Sequence, residues 1–211
     1  MQNNFIAIEG NIGSGKTSLS TMISNEFGAK LIIEQFADNP FLPKFYKDPK
    51  KYAFPLEMSF LAERYQQLND ETSQPDLFSP FIVSDYYMFK SLIFAEINLE
   101  PEEYELYRRL FFMMYKNLAK PDLFVYLHQD TDRLLKNIKK RGRSYEQDIQ
   151  VDYLEDIHKG YIEFIRKQLD LKILVVDVSN IDFVENKKDY ERIKDLILEK
   201  THVDNYSFVC L

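Results

Sequence analysis

Eight consecutive residues carry the chemistry that is easiest to name: Gly10-Asn11-Ile12-Gly13-Ser14-Gly15-Lys16-Thr17. They match the phosphate-binding pattern G-x-x-x-x-G-K-[ST] at every fixed position. Glycines there leave room for backbone N–H groups to wrap a polyphosphate. Lys16 is long enough to reach β- and γ-phosphates, and the Thr17 hydroxyl can ligate Mg²⁺. The flanks suit the motif. Phe5–Ile8 reads as a buried strand running into the loop, and residues 18–27 read as a helix whose positive end faces the phosphates. The segment implies a site for a nucleoside triphosphate.

Four further groups have types and spacings suited to phosphoryl transfer. Glu34 follows the apolar run Leu31-Ile32-Ile33. A carboxylate at a strand end beside the phosphate loop can take the proton of an attacking hydroxyl, and the plain alternative is a solvated surface glutamate. Asp85 follows Phe81-Ile82-Val83-Ser84, where an acidic residue commonly holds Mg²⁺. The same residue can equally cap a helix beginning at Tyr86, and the two roles are compatible. Arg141-Gly142-Arg143 closes a basic run that starts at Lys136. Two guanidiniums around a glycine at a helix end make a mobile bidentate clamp for a transferring phosphoryl group. Glu57 and Arg64 stand two helical turns apart on an otherwise apolar face. They form either a structural ion pair or the polar contacts of a ligand pocket.

A competing motif is set aside. Asn186-Lys187-Lys188-Asp189 spells the guanine-reading N-K-x-D of signalling GTPases, but the chain has no D-x-x-G segment. The tetrapeptide also falls about ten residues past the fifth apolar run rather than at its tip.

Positioning these groups requires a scaffold, and the hydrophobic pattern supplies one. Short apolar runs recur at Phe5–Ile8, Leu31–Ile33, Phe81–Val83, Leu123–Leu127 and Ile173–Val176, each followed by a longer segment of helical periodicity. The alternation predicts an α/β fold, a parallel sheet covered by helices on both faces. Ligands on such sheets bind beyond the carboxyl ends of the strands, near Glu9, Glu34, Asp85 and Asp177. Asp130-Thr131-Asp132 is placed to cap a helix through Lys140.

Composition narrows the partners. The 211 residues carry no repeat, low-complexity linker or composition break, so one domain over residues 1–211 is expected. A net charge of −7 opposes nucleic-acid and anionic-membrane binding, which leaves an anionic ligand to a local basic site. The chain has 17 Phe and 14 Tyr, enough rings to furnish a base-stacking cleft besides the core. A single Cys210 excludes an internal disulfide and fits a cytoplasmic setting. No apolar secretory segment opens the sequence, and no run has the length of a membrane span.

Taken together, the phosphate loop, Asn39–Tyr46, Leu56-Glu57-Met58 with Arg64, Ser84-Asp85-Tyr86, Arg141-Gly142-Arg143 and Asp182-Phe183 resemble the deoxynucleoside kinase family, in its bacterial deoxyguanosine and deoxyadenosine kinase branch. The resemblance runs in order from residue 5 to about residue 200. It implies a five-stranded parallel sheet with an arginine-rich lid, a homodimer paired through helices, and ATP with Mg²⁺ as cofactors. It also implies roles. Glu34 matches the carboxylate that handles the nucleoside 5′-hydroxyl, and Tyr46 with Glu146 the pair that holds the sugar 3′-hydroxyl. Glu57 stands where the family usually has a base-reading Gln, with Arg64 its companion and Phe94 the ring stacked on the base. Arg141 and Arg143 belong to the lid, and Asp182-Phe183 to the loop beside the donor adenine.

Two positions depart from the pattern. The family's third-strand acidic residue is usually followed by Arg and Ser, but Asp85 precedes Tyr86 and Tyr87, so Lys90 is the available substitute. One turn before Arg141, where another Arg is common, stands Asn137, which implies weaker stacking on the donor base. The reading is an ATP-dependent kinase of the 5′-hydroxyl of purine 2′-deoxyribonucleosides, deoxyguanosine favoured. Alternatives are a deoxyadenosine-preferring or broad enzyme, a nucleoside-monophosphate kinase of the same fold, and a non-catalytic ATP-binding module. The monophosphate kinase would need further basic residues on the acceptor side, where Glu57 and aromatic rings stand instead.

Overall fold

A computed structural model of the chain describes residues 4–35, 39–73, 78–198 and 206–211. Strands and helices alternate through most of it. The order is β1 Phe5–Gly10, α1 Lys16–Phe27, β2 Lys30–Ile32, α2 Leu42–Phe45, α3 Pro49–Thr72 and β3 Ile82–Ser84. It continues with α4 Phe89–Asn98, α5 Pro101–Tyr115, β4 Leu123–His128, α6 Thr131–Arg141, α7 Val151–Lys167, β5 Ile173–Asp177, α8 Lys187–Leu198 and β6 Tyr206–Cys210.

All strand pairings are parallel, and the sheet order is β2-β3-β1-β4-β5-β6. The phosphate-loop strand therefore lies inside the sheet, with β2 and β3 on one side of it. Every residue of β1 is buried, as a strand covered on both faces must be. Period-two alternation sorts the apolar residues into two cores. Phe5 and Ala7 of β1, Phe124 and Tyr126 of β4, and Ile173 and Val175 of β5 face the layer that contains α3, α4, α5 and α7. Their neighbours Ile6, Ile8, Val125, Leu127, Leu174 and Val176 face α1 and α8.

The five apolar runs of the sequence are strands β1 to β5, but among the described residues the sheet has six. The addition is β6, an edge strand pairing with β5 from Ile173↔Tyr206 to Asp177↔Cys210. Its segment Tyr-Ser-Phe-Val-Cys leaves Tyr206 and Phe208 exposed, so the run lacks the outward polar residues by which an edge strand is read from sequence. Helix α4 starts at Phe89 rather than Tyr86, so Asp85 caps no helix and its carboxylate is spent elsewhere. The N-K-x-D tetrapeptide is the entry to α8, where Asn186 Oδ1 accepts from Lys188 N at 3.0 Å. No helix among the described residues is long and apolar enough to cross a membrane.

Candidate active site

The phosphate loop bends from β1 into α1 at the carboxyl end of the sheet. Gly15 has φ +90°, a left-handed conformation that L side chains rarely adopt, and a Cβ there would stand 2.6 Å from Phe183 Cζ. Asn11 braces the loop from within. Its Nδ2 donates to Leu154 O at 2.7 Å, its Oδ1 accepts from Ile12 N at 2.8 Å, and its backbone carbonyl accepts from Lys16 Nζ at 2.8 Å. Burial lowers the Lys16 ammonium to about 8, helped by the like charge of Lys90 and opposed by Glu9, Asp85 and Glu34. Glu9, near the end of β1, accepts from Tyr87 N at 2.8 Å and Tyr161 Oη at 2.7 Å, and burial raises its carboxyl. Asp177, by contrast, accepts from Ser179 N in the turn after β5 and borders neither cavity described below.

One cavity runs from Lys16 and Thr17 past Glu34 and Asp85 to Glu57, Arg64, Phe94 and Asn98. At its phosphate end Thr17 Oγ1 donates to Asp85 Oδ2 at 2.5 Å, and Asp85 Oδ1 accepts from Glu34 N at 2.8 Å. Both oxygens of Asp85 are thus engaged. Glu34 is no solvated surface residue. Its Oε1 accepts from Arg64 Nε at 2.8 Å and lies 2.7 Å from Arg64 Nη2, while Oε2 accepts from Lys90 Nζ at 2.5 Å. Burial alone would raise this carboxyl, but the Lys90 and Arg64 cations outweigh it and bring it down to about 2. The Arg64 ion pair is therefore with Glu34, and its Nη1 donates to Ser91 Oγ at 2.9 Å.

Glu57 is held differently. Its Oε1 accepts from Asn98 Nδ2 at 2.7 Å, and its Oε2 is buried without a hydrogen-bond partner. Burial raises the Glu57 carboxyl to about 7 against the Arg64 charge and the Asn98 hydrogen bond. The Phe94 ring, half-buried, has Lys90 Nζ 5.5 Å from its centroid.

The arginine clamp hangs on a glycine. Arg141 ends α6, and Gly142 turns the chain with φ +73°, although a Cβ there would meet nothing within 4 Å. Conformation, not space, selects glycine. Both guanidiniums converge on Glu146: Arg141 Nη2 on Oε2, and Arg143 Nη1 on Oε1 at 3.2 Å. Both arginines border the first cavity together with Tyr46 and Glu146. Burial, then the Glu146 charge, raises the Tyr46 hydroxyl well above its usual range.

The same two arginines border a second cavity over the phosphate loop. Asp182 and Phe183 line it, with Arg133, Asn137 and Gln129 opposite. Phe183 is buried against Gly15, packing on the loop. Asn137 Nδ2 donates to Gly13 O at 2.8 Å and to Gln129 Oε1 at 3.1 Å, so it supports the loop. A further α6 arginine over this cavity is Arg133, two turns before Arg141, with Nη1 on Ser179 O at 3.0 Å and Nη2 3.5 Å from Asp182 Oδ2. Arg133 and Asn98 escaped the sequence reading. Each lies in a helix where a solvated face or a helix end explains the residue type equally well.

A family model described as deoxynucleoside kinase matches residues 6–204. A deoxyguanosine kinase of Bacillus subtilis is 42% identical over 203 residues, which cover 92% of this chain and 98% of the relative. A deoxyadenosine kinase of Dictyostelium discoideum is 30% identical over 92% of this chain and 79% of its own. Among solved structures, a deoxyadenosine kinase from M. mycoides with bound dATP is 29% identical with a TM-score of 0.79, over 92% of this chain and 98% of that one.

Proposed function

Because the chain belongs to the deoxynucleoside kinase family, we propose that it moves the γ-phosphoryl group of ATP to the 5′-hydroxyl of a purine 2′-deoxyribonucleoside, deoxyguanosine favoured. One observation carries this reading. A single cavity is lined by the phosphate-loop lysine, by Glu34, and by Glu57, Arg64 and Phe94. The nucleoside 5′-oxygen attacks the γ-phosphorus, the bond to the ADP oxygen breaks, and the hydroxyl proton passes to Glu34 and then to solvent. A carboxyl held near 2 is a weak base. That suffices where the transition state is loose and the hydroxyl loses its proton late. Asp85, the rival, has one oxygen on Thr17 and the other on the Glu34 amide, which favours Glu34 for this role.

Lys16 and the loop amides would hold the β- and γ-phosphates, and Arg141 and Arg143 would close over the transferring group. Thr17 and Asp85 offer a hydroxyl and a carboxylate, an oxygen-only and incomplete shell. That set fits Mg²⁺, which keeps water and phosphate oxygens in its octahedron. When bound, the ion neutralises charge on the phosphates. Tyr46 and Glu146 would grip the 3′-hydroxyl, Phe94 would stack on the base, and Asp182-Phe183 would border the donor adenine.

The preference for guanine rests on Glu57. An ionised carboxylate offers acceptors only, whereas guanine presents adjacent donors at N1 and N2. Adenine N1 is an acceptor and would leave a buried group unpaired, worth about 5- to 150-fold in selectivity. The partnerless Oε2 of Glu57 supports this reading. Arg64 keeps N–H groups for O6 or N7 beyond its bonds to Glu34 and Ser91. The single thiol and the family resemblance support a one-domain cytoplasmic homodimer over residues 1–211. The test is ADP release against a panel of nucleosides and monophosphates. Deoxyguanosine and deoxyinosine should lead, deoxyadenosine should follow and pyrimidines should be poor; preferred turnover of a monophosphate or of deoxyadenosine contradicts the reading.

A further inference from the structure

In the first cavity, Asn98 and Glu57 make a contact that the family resemblance does not assign. Asn98, the last residue of α4, donates from Nδ2 to Glu57 Oε1 at 2.7 Å. The other oxygen of that carboxylate is buried and unpartnered, and both residues line the cavity. We propose that Asn98 is a positioning residue that sets base specificity: its hydrogen bond favours the anionic form of Glu57 and leaves one oxygen bare for the guanine N–H groups. This rests on the guanine reading of Glu57 given above.

The argument turns on which form of Glu57 the surroundings favour. A protonated carboxyl presents one donor and one acceptor, as a glutamine does, and then suits adenine. Burial pushes Glu57 toward that neutral form. Among the charges that face it, Arg64 of α3 and Lys90 of α4 favour the anion, and Glu34 beyond β2 opposes it. The phenols of Tyr46, Tyr107 and Tyr153, from the segment around α2, from α5 and from α7, also lie within its field and stay neutral. Arg64 and Lys90 direct their short contacts to Glu34 instead. The Asn98 amide is the hydrogen bond found on Glu57 among the described residues. Hydrogen bonding to the charged form favours that form, so loss of this donor tips Glu57 toward the glutamine-like state. Asn98 thereby acts on specificity through Glu57 without needing to touch the base.

A double-mutant cycle tests the proposal, using kcat/KM for deoxyguanosine and deoxyadenosine in wild type, Asn98→Leu, Glu57→Gln and the double variant. Leucine keeps the γ-branched shape of asparagine with greater bulk, and donates nothing. Asn98→Leu should lower the guanine-to-adenine ratio about tenfold. It should also move the pH dependence of that ratio to higher pH, because the neutral form of Glu57 persists further. In the Glu57→Gln background the same change should leave the ratio within about twofold. Partial misfolding lowers both efficiencies of one preparation together and cancels in the ratio, and Asn98→Ser, a shorter donor, should restore part of it. An unchanged ratio in Asn98→Leu, with Glu57→Gln still shifting it, overturns the role of Asn98 and spares the guanine reading. An equal shift in both backgrounds overturns it too, as a structural effect independent of Glu57. If Glu57→Gln itself leaves the ratio where it was, both readings fall.

Discussion

Lys90 Nζ stands 2.5 Å from Glu34 Oε2, on the side of the carboxylate opposite Arg64. It lies against the carboxylate that, on the family resemblance, an arginine directly after Asp85 would brace. Here that place is taken by Tyr86, whose hydroxyl donates to Gln67 Oε1 at 2.7 Å. The two cations and the carboxylate are almost fully buried, with side-chain exposures of 10%, 4% and 9%. An ion group so enclosed has fixed geometry, and loss of one member leaves charge uncompensated.

Lys90→Met should therefore change the acidity of the site as well as its rate. Without Lys90, burial acts on Glu34 with one counter-charge fewer, so its carboxyl rises from about 2. Wild-type kcat should show no acid limb from Glu34 down to about pH 4, whereas the variant should acquire one at higher pH and lose about 10- to 100-fold in turnover. A pH–rate profile with the same acid limb in both proteins would refute the pairing's catalytic meaning.

Glu34→Gln should reduce turnover by about 10²- to 10⁴-fold with nucleoside affinity little changed. Single-turnover rates with an independent binding titration separate the two. Should Asp85→Asn show that pattern instead, the roles of the two carboxyl groups are exchanged.

Lys16→Ala should leave less than about a tenth of wild-type turnover with Mg·ATP. It should not lower the melting temperature of the ligand-free protein, because a lysine whose ammonium is lowered to about 8 gains nothing from folding in its charged form. In wild type, KM for ATP should rise as pH climbs past about 8, where free Lys16 loses its proton. A KM flat across that range would show that Lys16 does not meet the phosphates in its free-enzyme state.

Glu57 makes a stability prediction of opposite sign to Glu34. Its carboxyl is raised to about 7 in the folded chain, so folding binds a proton there between the ordinary carboxylate range and neutrality. Stability from this group is present at low pH and is lost as pH rises toward 7. Glu57→Gln removes the titration, so its melting temperature relative to wild type should increase from about pH 5 to about pH 8. A constant difference across that range would mean the carboxyl titrates normally.

Deoxyguanosine should be phosphorylated more efficiently than guanosine, since the proposed function gives Tyr46 and Glu146 to the 3′-hydroxyl and assigns no partner to a 2′-hydroxyl. Equal kcat/KM for the two nucleosides would contradict that assignment.

How far the sequence reveals this site depends on how local each feature is. The phosphate loop and the five apolar runs are legible because spacing along the chain fixes them. The grouping of Glu34 with Lys90, and of Glu57 with Asn98, is not. It arises where the tip of β2 and helices α3 and α4 pack together, and those segments are far apart in sequence. Asp85 shows the same limit: its position at a strand end was legible, but whether its carboxylate met a helix end or Thr17 depended on packing. Strand β6 was missed for the opposite reason, since its exposed rings give no alternation to read.

The sheet order also governs when the phosphate loop can form. β1 is paired through Phe5↔Ile82 on one side and Ile6↔Leu123 on the other. A chain emerging from the ribosome thus releases Phe5–Ile8 long before either neighbour exists, and the strand must stay soluble without its partners. Contacts of such sequence separation close slowly, because loop entropy is lost before the pairing rewards it. The phosphate loop is made well before β4, yet contacts that brace it come later still: Asn137 on Gly13, Leu154 on Asn11 and Phe183 against Gly15. The loop conformation accordingly depends on segments as far along the chain as Phe183.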